Sequence, residues 1–323
     1  MSELKSESRL MTWFKLGRVS NLPTVWSNTL VGLAVGVSGN AASTASGLQM
    51  PSALTILFAL IAMSLFYVGG MFLNDAFDAE IDAIERPERP IPSGIVSKRS
   101  VFVAGFSLLA AGVAVVALVK LLITGGALLP ALVASLLLGF CIVLYNVWHK
   151  ANPISPLIMG LCRVLVYLTT ALLVASSMNL FMLLACLALL AYLIGLTAIA
   201  KQENLNQVSN FWPMLLLFLP ILVWLSSGSW NWLTLATSVL LAVWVSRACY
   251  VLASRVPGCI PKAVSSMLAG ISLVDAVALA SLASRGETGF QLQSMSAGNI
   301  AWVGLCIVCF ALTLAFQRVV PGT

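Results

Sequence analysis

Charge is scarce in this sequence. Asp, Glu, Lys and Arg together make up only 9% of the 323 residues, whereas 60% are hydrophobic and the mean hydropathy is +1.02. Because soluble domains carry about 25% charged residues, this composition excludes an ordinary soluble protein. The first twenty residues are polar and of mixed charge, so no cleavable signal peptide is apparent. We expect a polytopic membrane protein in which residues 1–323 form a single domain.

Histidine is nearly absent, and cysteine occurs in an odd number. None of the seven cysteines lies in a predicted external loop, so a disulfide framework is not indicated. Cys306 and Cys309 form a Cys-x-x-Cys pair inside an apolar run, and His149 is the single imidazole available to them. Packing is therefore a better interpretation of this pair than a metal or redox site.

Long apolar runs dominate what is present. Ten of them are candidate membrane spans, and they cover residues 22–39, 53–74, 100–123, 128–147, 154–176, 179–200, 211–227, 231–252, 261–284 and 297–318. The first run contains Pro23, and the seventh contains Pro213 and Pro220, so these two are the weakest. The expected fold class is all-α, a bundle of nine or ten transmembrane helices.

The basic residues indicate an orientation. Fourteen of the 17 Lys and Arg residues fall on the side of the amino terminus, only Lys120 and Arg285 fall on the other side, and Arg163 lies within a span. By the positive-inside rule, both termini are expected in the cytoplasm, and we expect an integral protein of the plasma (inner) membrane. The net charge of +6 therefore reflects membrane topology. We expect membrane lipid as a partner and no binding to nucleic acid.

Acidic residues are also few, yet six of the eleven lie within 75–88, directly after the apolar run 52–73. At about 100° per residue, Asp75, Asp78 and Asp82 share one helical face at one membrane surface. Carboxylates this close repel each other unless a cation lies among them, and an all-oxygen ligand set favours Mg²⁺.

Two arginines follow the acids, Arg86 and Arg89, in the run R-P-E-R-P. Guanidinium groups match the geometry of phosphate oxygens. Together, the acids and arginines predict a diphosphate bound through Mg²⁺. The loop 84–99, which contains them, is expected to cap the cytoplasmic mouth of the bundle.

The whole pattern, N-D-x-x-D-x-x-x-D followed by R-P-x-R-P-I-P-S-G over residues 74–94, resembles the UbiA superfamily of intramembrane prenyltransferases. The resemblance implies a central cavity open to the cytoplasmic side and Mg²⁺-dependent transfer from a prenyl diphosphate to a lipophilic or aromatic acceptor. The expected metal ligands are Asn74, Asp75, Asp78, Asp82 and Glu203. The expected catalytic residues are Asp75, Asp78, Arg89, Tyr145, Lys150 and Lys201. The expected substrate contacts are Asn28, Asn74, Arg86, Lys98, Arg163 and Tyr192.

Several of these residues have a second interpretation. Asn28 lies either near the pocket or in an interhelical hydrogen bond. Tyr145 and Lys150 are also typical of interfacial anchors at a helix end. For Arg163, deep in its span, a structural ion pair with Asp275 at similar depth is favoured over a direct substrate role.

A second aspartate motif is missing after the sixth span, where UbiA-like enzymes usually have D-x-x-x-D. Glu203 is the sole carboxylate there, with neutral oxygen donors at Asn206, Gln207 and Asn210. This segment resembles an EboC-like branch of the superfamily, and it predicts a weakly held second Mg²⁺. The alternative function is a UbiA-like scaffold that binds or transports a metabolite. A CDP-alcohol phosphotransferase is disfavoured because the D-G-x-x-A-R continuation is absent.

Overall fold

The computed structural model describes residues 9–38, 50–149, 152–175, 179–202, 212–226, 229–254, 256, 258–283, 289–291 and 297–320. Within these ranges the helices are α1 (Arg9–Leu16), α2 (Leu22–Ser38), α3 (Ala53–Glu85), α4 (Lys98–Val119), α5 (Leu128–Trp148), α6 (Ser155–Val174), α7 (Leu180–Ala200), α8 (Pro213–Leu225), α9 (Trp232–Ala253), α10 (Cys259–Leu282) and α11 (Ala297–Phe316). The predicted all-α fold is confirmed. One short element was not predicted: strands β1 (Ser229–Asn231) and β2 (Gly289–Gln291) pair in parallel.

The ten predicted spans fold as α2 to α11. Eight described helices are long and apolar enough to cross a membrane, namely α3, α4, α5, α6, α7, α9, α10 and α11. The two shorter ones are α2, with 17 residues, and α8, with 13, which are the runs that the prolines marked as weakest. The chain is therefore an integral membrane protein.

Capping side chains begin several of these helices. The Ser52 hydroxyl accepts a hydrogen bond from the Thr55 backbone N–H at 3.2 Å, at the start of α3. The Asn179 amide oxygen accepts one from Met182 N at 2.9 Å, at the start of α7. Each cap satisfies a backbone N–H that has no partner within the helix, and so fixes where the apolar run becomes helical.

The longest helix carries the acids. With 33 residues, α3 is about 50 Å long, whereas the hydrocarbon core of a bilayer is about 30 Å thick. The helix therefore continues well beyond the apolar run that predicted a span over 53–74. Its carboxyl-terminal turns hold Asp75, Asp78 and Asp82, and the burial of all three shows that they face the protein.

Helices α2 and α10 lie in the centre of the bundle. Every residue over 269–282 of α10 is buried, and this helix contacts α2, α7, α8, α9 and α11. Helix α2 packs closely on α6 because Gly36 leaves no side chain between them: a Cβ atom there would lie 2.6 Å from the Ala171 carbonyl oxygen. Small residues allow such close approach of membrane helices.

The amino-terminal helix α1 was not predicted. Its Leu16 is buried, and its Trp13 ring lies 5.2 Å from the Phe72 ring of α3. Immediately afterwards Arg18 adopts a left-handed backbone conformation with φ of 42°. This reversal joins α1 to a 3₁₀ turn (Val19–Asn21) and to α2, and it turns the Arg18 side chain towards the acidic end of α3.

All seven cysteines are free thiols. Cys306 and Cys309 are buried in α11, and Cys306 belongs to the main hydrophobic core. Their position agrees with the packing interpretation.

Candidate active site

A cavity of about 310 Å³ lies between α2, α3, α5, α6, α7 and α10. Its polar end is lined by Arg18, Arg86, Arg89, Tyr145 and Asn146, whereas Met63, Phe66, Leu138 and Ile271 line the apolar end. This volume is at the lower end of the range for small-molecule sites. An apolar chamber with one polar end suits a ligand that has an apolar tail and a charged head.

Two arginines cover the carboxylates at the polar end. Arg89 Nη1 lies 2.7 Å from Asp82 Oδ2 and 3.5 Å from Asp75 Oδ1. Arg18 Nη2 lies 3.5 Å from the same Asp75 oxygen. Asp75 is only 8% exposed and Asp82 only 4%, and neither lines the cavity directly. The guanidinium groups thus stand between these carboxylates and the chamber.

The third carboxylate has a different neighbour. His149 Nε2 lies 3.5 Å from Asp78 Oδ2, and the imidazole stacks on Tyr145, with ring centroids 5.0 Å apart. Tyr145, which was predicted as a catalytic residue, lines the cavity. The stacked pair places the end of α5 against the acidic end of α3.

Asn74 is oriented by a second amide. Its Nδ2 donates to Asn146 Oδ1 at 3.2 Å, and Asn146 Nδ2 donates to the Gly70 carbonyl oxygen at 3.0 Å. Asn74 Oδ1 is thereby turned towards Arg18, which lies 3.4 Å away. Outer partners of this kind commonly fix the direction of metal-ligand side chains.

Consecutive turns after α3 bring Arg86 and Arg89 back over the cavity. Arg89 N donates to Arg86 O at 3.0 Å, Ser93 N donates to Arg89 O at 2.9 Å, and Gly94 turns the chain with φ of 76°. Glycine adopts this conformation without a steric penalty. The loop is folded as a cap, and two of its arginines line the polar end of the chamber.

Lys98 and Tyr192 were predicted as substrate contacts, but neither lines the cavity. Lys98 Nζ pairs with the exposed Glu80 carboxylate at 2.9 Å, because both side chains lie on the outer side of α3 and α4. The Tyr192 hydroxyl donates to the Met267 carbonyl oxygen at 2.8 Å, so it joins α7 to α10 inside the core. Neither contact places its side chain in the cavity, and the assignment of Lys98 and Tyr192 as substrate contacts stays a prediction.

Lys201, which was predicted as a catalytic residue, contacts the turn between α5 and α6 in this structure. Its ammonium donates at 2.7 Å both to the Asn152 carbonyl oxygen and to Ser155 Oγ. Burial lowers the pKa of this ammonium. The side chain supports the turn beside the mouth and does not line the cavity.

The predicted ion pair between Arg163 and Asp275 is indirect. Arg163 Nη1 donates to Asn28 Oδ1 at 2.9 Å, and Asn28 Nδ2 donates to the two Asp275 carboxylate oxygens at 2.8 and 3.1 Å. Tyr167 also donates to Asp275. Asn28 therefore makes the interhelical hydrogen bonds that were its second interpretation, while Arg163 itself lines the cavity.

The chemistry of the donor set fits Mg²⁺ brought in with a diphosphate. Within the described part of the chain, no three acidic, histidine or cysteine side chains converge as a ready metal site. Mg²⁺, however, usually takes one or two carboxylates together with substrate phosphate oxygens and water. Asp75, Asp78 and Asp82 supply such oxygens. Glu203 and Lys150, which were also predicted at the site, lie outside the described residues.

Arg18, Asn146 and His149 lie at the site but were not predicted as site residues. Arg18 precedes the first predicted span by only a few residues. A basic residue at the end of a span was the sequence feature that could have indicated its place at the mouth of the cavity. Nothing local indicates that Asn146 and His149 turn towards α3. Their role depends on how α5 packs against α3.

Relatives of known name are similar to parts of this chain. A digeranylgeranylglyceryl phosphate synthase of Methanothrix thermoacetophila is 30% identical over 145 residues, which cover 45% of this chain and 48% of that relative. The corresponding protein of Methanoregula boonei is 39% identical over 98 residues, covering 30% and 32%. The chain thus matches about half or less of the length of these relatives.

Solved structures show the same fold. A structure of digeranylgeranylglyceryl phosphate synthase in membranes aligns with a TM-score of 0.56 and 18% identity, covering 85% of this chain and 98% of that one. A UbiA homologue from Archaeoglobus fulgidus bound to DMAPP and Mg²⁺ aligns with a TM-score of 0.51 and 13% identity, covering 96% and 100%. The UbiA prenyltransferase family model matches residues 25–204, which is more than half of the chain. This protein therefore belongs to the UbiA prenyltransferase family.

Proposed function

We propose that this chain is a Mg²⁺-dependent intramembrane prenyltransferase, which moves a prenyl group from a prenyl diphosphate to a lipophilic or aromatic acceptor. The observation that carries the proposal is the cluster of carboxylates and arginines at the polar end of an apolar cavity, in a chain of the UbiA family. The digeranylgeranylglyceryl phosphate synthase relatives support it. The finer assignment to an EboC-like branch stays a prediction.

The arginines at the mouth would bind the diphosphate. Arg18, Arg86 and Arg89 line the cavity and present N–H groups that match phosphate oxygens. As Arg18 and Arg89 turn from the carboxylates to the phosphates, the carboxylate oxygens of Asp75 and Asp82 become available. Mg²⁺, when bound there by Asp75, Asp78 and Asp82 with Asn74 beside them, would neutralise charge on the leaving diphosphate.

The apolar walls would govern the reaction itself. The allylic carbon–oxygen bond breaks, the diphosphate leaves with the electron pair, and the acceptor bonds to the allylic carbon and releases a proton. Water would compete with the acceptor for the allylic cation. Apolar side chains such as Phe66, Leu138 and Ile271 offer a water molecule few hydrogen-bond partners, so they would keep water out of the cavity. Tyr145 lines the polar end of the cavity, where an aromatic ring would stabilise the allylic cation.

The orientation in the membrane is part of the proposal. Arg18, Arg86 and Arg89 line the polar end of the cavity, and Lys201 lies beside it. Lys120 is buried at the opposite end of its span, where its ammonium donates to the Leu173 carbonyl oxygen at 3.1 Å. With this distribution, the positive-inside rule favours a mouth that faces the cytoplasm from the plasma (inner) membrane.

The test compares two carboxylates of α3. In purified protein, Asp78→Asn is expected to abolish Mg²⁺-dependent diphosphate binding, measured by calorimetry, while circular dichroism stays unchanged. Glu80→Gln is the matched control, because it removes the same charge from the same helix, but the Glu80 side chain is 87% exposed and pairs with Lys98 outside the cavity. Equal binding by the Asp78 variant and the wild type would refute the site.

A turnover assay separates the enzyme from the alternative binding or transport scaffold. Labelled prenyl diphosphates are incubated with the wild-type protein, Mg²⁺ and membrane lipid extracts, and the products are separated by chromatography. A labelled product that depends on Asp78 supports prenyl transfer. Diphosphate binding without any product, across all donors and extracts, favours the scaffold.

A further inference from the structure

We propose that Tyr67 positions Arg18 for the diphosphate, by holding the Arg18 backbone in its left-handed turn. This role rests on the proposed function, in which Arg18 binds the diphosphate of the donor. Among the residues that the structure describes, Arg18 is the one non-glycine residue with a positive φ, at 42° with ψ of 47°. Such a conformation brings Cβ close to the following carbonyl oxygen and is costly for arginine.

A glycine would adopt this turn without a steric penalty, and one is already present next to it. Gly17, however, allows a close approach of the chain to α3: a Cβ atom there would lie 3.3 Å from Val68 Cγ1. The left-handed position is given to Arg18, whose Nη2 lies 3.5 Å from Asp75 Oδ1 and 3.4 Å from Asn74 Oδ1. The strain is therefore kept at a residue whose side chain lines the polar end of the cavity.

The turn is held by hydrogen bonds on both sides of Arg18. Its N–H donates to the Lys15 carbonyl oxygen at 3.0 Å, and its carbonyl oxygen accepts from Asn21 N at 3.1 Å. The same carbonyl oxygen also accepts from the Tyr67 hydroxyl at 3.2 Å. The first two bonds belong to the local chain, whereas Tyr67 comes from α3, the helix that carries Asp75. Tyr67 thus fixes the turn relative to the carboxylates.

The place of Tyr67 in α3 makes it a positioning residue. It lies eight residues before Asp75, which is about 12 Å along the helix, so its hydroxyl acts on the turn and not on the carboxylates. The Asn21 side chain, next to the same turn, interacts with this hydroxyl as well. The Tyr67 ring faces Arg163, whose guanidinium carbon lies 5.7 Å from the ring centre. Tyr67→Phe therefore removes the hydroxyl that holds the turn and keeps the ring in place.

Calorimetry of inorganic diphosphate at saturating Mg²⁺ tests this role in the purified full-length protein. Arg18→Ala is expected to raise the Kd by about tenfold or more, since it removes a charge-assisted contact, and Tyr67→Phe by about 2–10-fold, since it removes a neutral hydrogen bond. The double variant is expected to bind no more weakly than Arg18→Ala alone, because Tyr67 acts through Arg18. Tyr250→Phe is the matched control: it also removes a hydroxyl, but Tyr250 is 78% exposed on α9.

A stability measurement tests the turn itself. Arg18→Gly and Arg18→Ala both remove the guanidinium, but only glycine adopts the left-handed conformation without strain. Both variants are expected to lose the same affinity for diphosphate, whereas Arg18→Gly is expected to unfold at the higher temperature in detergent. A turn without strain at Arg18 would not separate affinity from stability in this way.

Three results would overturn the role of Tyr67 alone. They are unchanged diphosphate affinity in Tyr67→Phe, effects of Tyr67→Phe and Arg18→Ala that multiply in the double variant, and an Arg18→Gly variant that is no more stable than Arg18→Ala. A purely structural role of Tyr67 gives the first result, with a lower unfolding temperature. A wild-type protein that binds no diphosphate would instead overturn the proposed function, and this role with it.

Discussion

Arg89→Ala should change the binding of Mg²⁺ alone and of Mg²⁺ with diphosphate in opposite directions. In the present structure Arg89 bridges Asp75 and Asp82 and covers their oxygens. Mg²⁺ alone must displace this guanidinium before it reaches the carboxylates. A diphosphate, by contrast, gives the guanidinium a new partner. The substitution therefore removes a competitor of the free ion and a ligand of the diphosphate.

The size of the effect follows from the contacts. The 2.7 Å bond to Asp82 is charge-assisted, a class that contributes about 1.5–3 kcal/mol when buried. The Arg89 side chain is 20% exposed, and its second contact, to Asp75, is longer at 3.5 Å, so solvent weakens both. We expect a change of about 1–2 kcal/mol, which corresponds to about 5–30-fold in affinity.

Calorimetry on the purified protein measures both quantities. The Kd for Mg²⁺ alone should fall by this factor in Arg89→Ala, whereas the Kd for diphosphate at saturating Mg²⁺ should rise. Arg99→Ala is the matched control, since it removes an exposed arginine near the start of α4 and outside the cavity. A rise in both Kd values would show that Arg89 stabilises the metal-competent arrangement, and the competition argument would then be wrong.

Three further predictions concern the bundle. Gly36→Ala should lower thermal stability in detergent by about 1–3 kcal/mol, because its Cβ would lie 2.6 Å from a backbone oxygen of α6, whereas Gly304→Ala has open space and should be neutral. Phe66→Ala should lengthen the apolar end of the cavity and shift donor preference towards longer prenyl tails in competition assays; an unchanged preference would contradict this. In a cysteine-free background, cysteines at positions 3 and 322 should both resist an impermeant thiol reagent in intact cells, and labelling of position 322 alone would contradict the even helix count.

Much of this architecture could be predicted from short stretches of sequence. Apolar runs long enough for a bilayer predicted α2 to α11, because each span needs only its own residues to be recognised. The same holds for Asp75, Asp78 and Asp82, whose spacing places them on one face of whichever helix contains them. Prolines at 23, 213 and 220 also marked α2 and α8, which are the two shortest helices among α2 to α11.

Contacts between distant residues were beyond such reasoning. Arg163 and Asp275 were predicted at similar depth, but the amide that connects them comes from α2, far away in sequence. Arg18 reaches Asp75 only because a left-handed backbone turn reverses the chain after α1. Lys201 could be placed near the mouth, yet its preference for the α5–α6 turn depends on carbonyl oxygens that become available only when the bundle is assembled.

The arginines at the mouth and Arg163 deeper in the same cavity are compensated in different ways. At the mouth, carboxylates are covered directly by arginines, so a ligand must exchange those pairs, and the guanidinium groups are then free to follow the diphosphate. Deeper in the cavity, Asn28 separates Arg163 from its carboxylate, so the guanidinium keeps its place and its charge is only partly compensated. The deeper arginine is therefore held by neutral groups, with its carboxylate one amide away, whereas the arginines of the mouth contact their carboxylates directly.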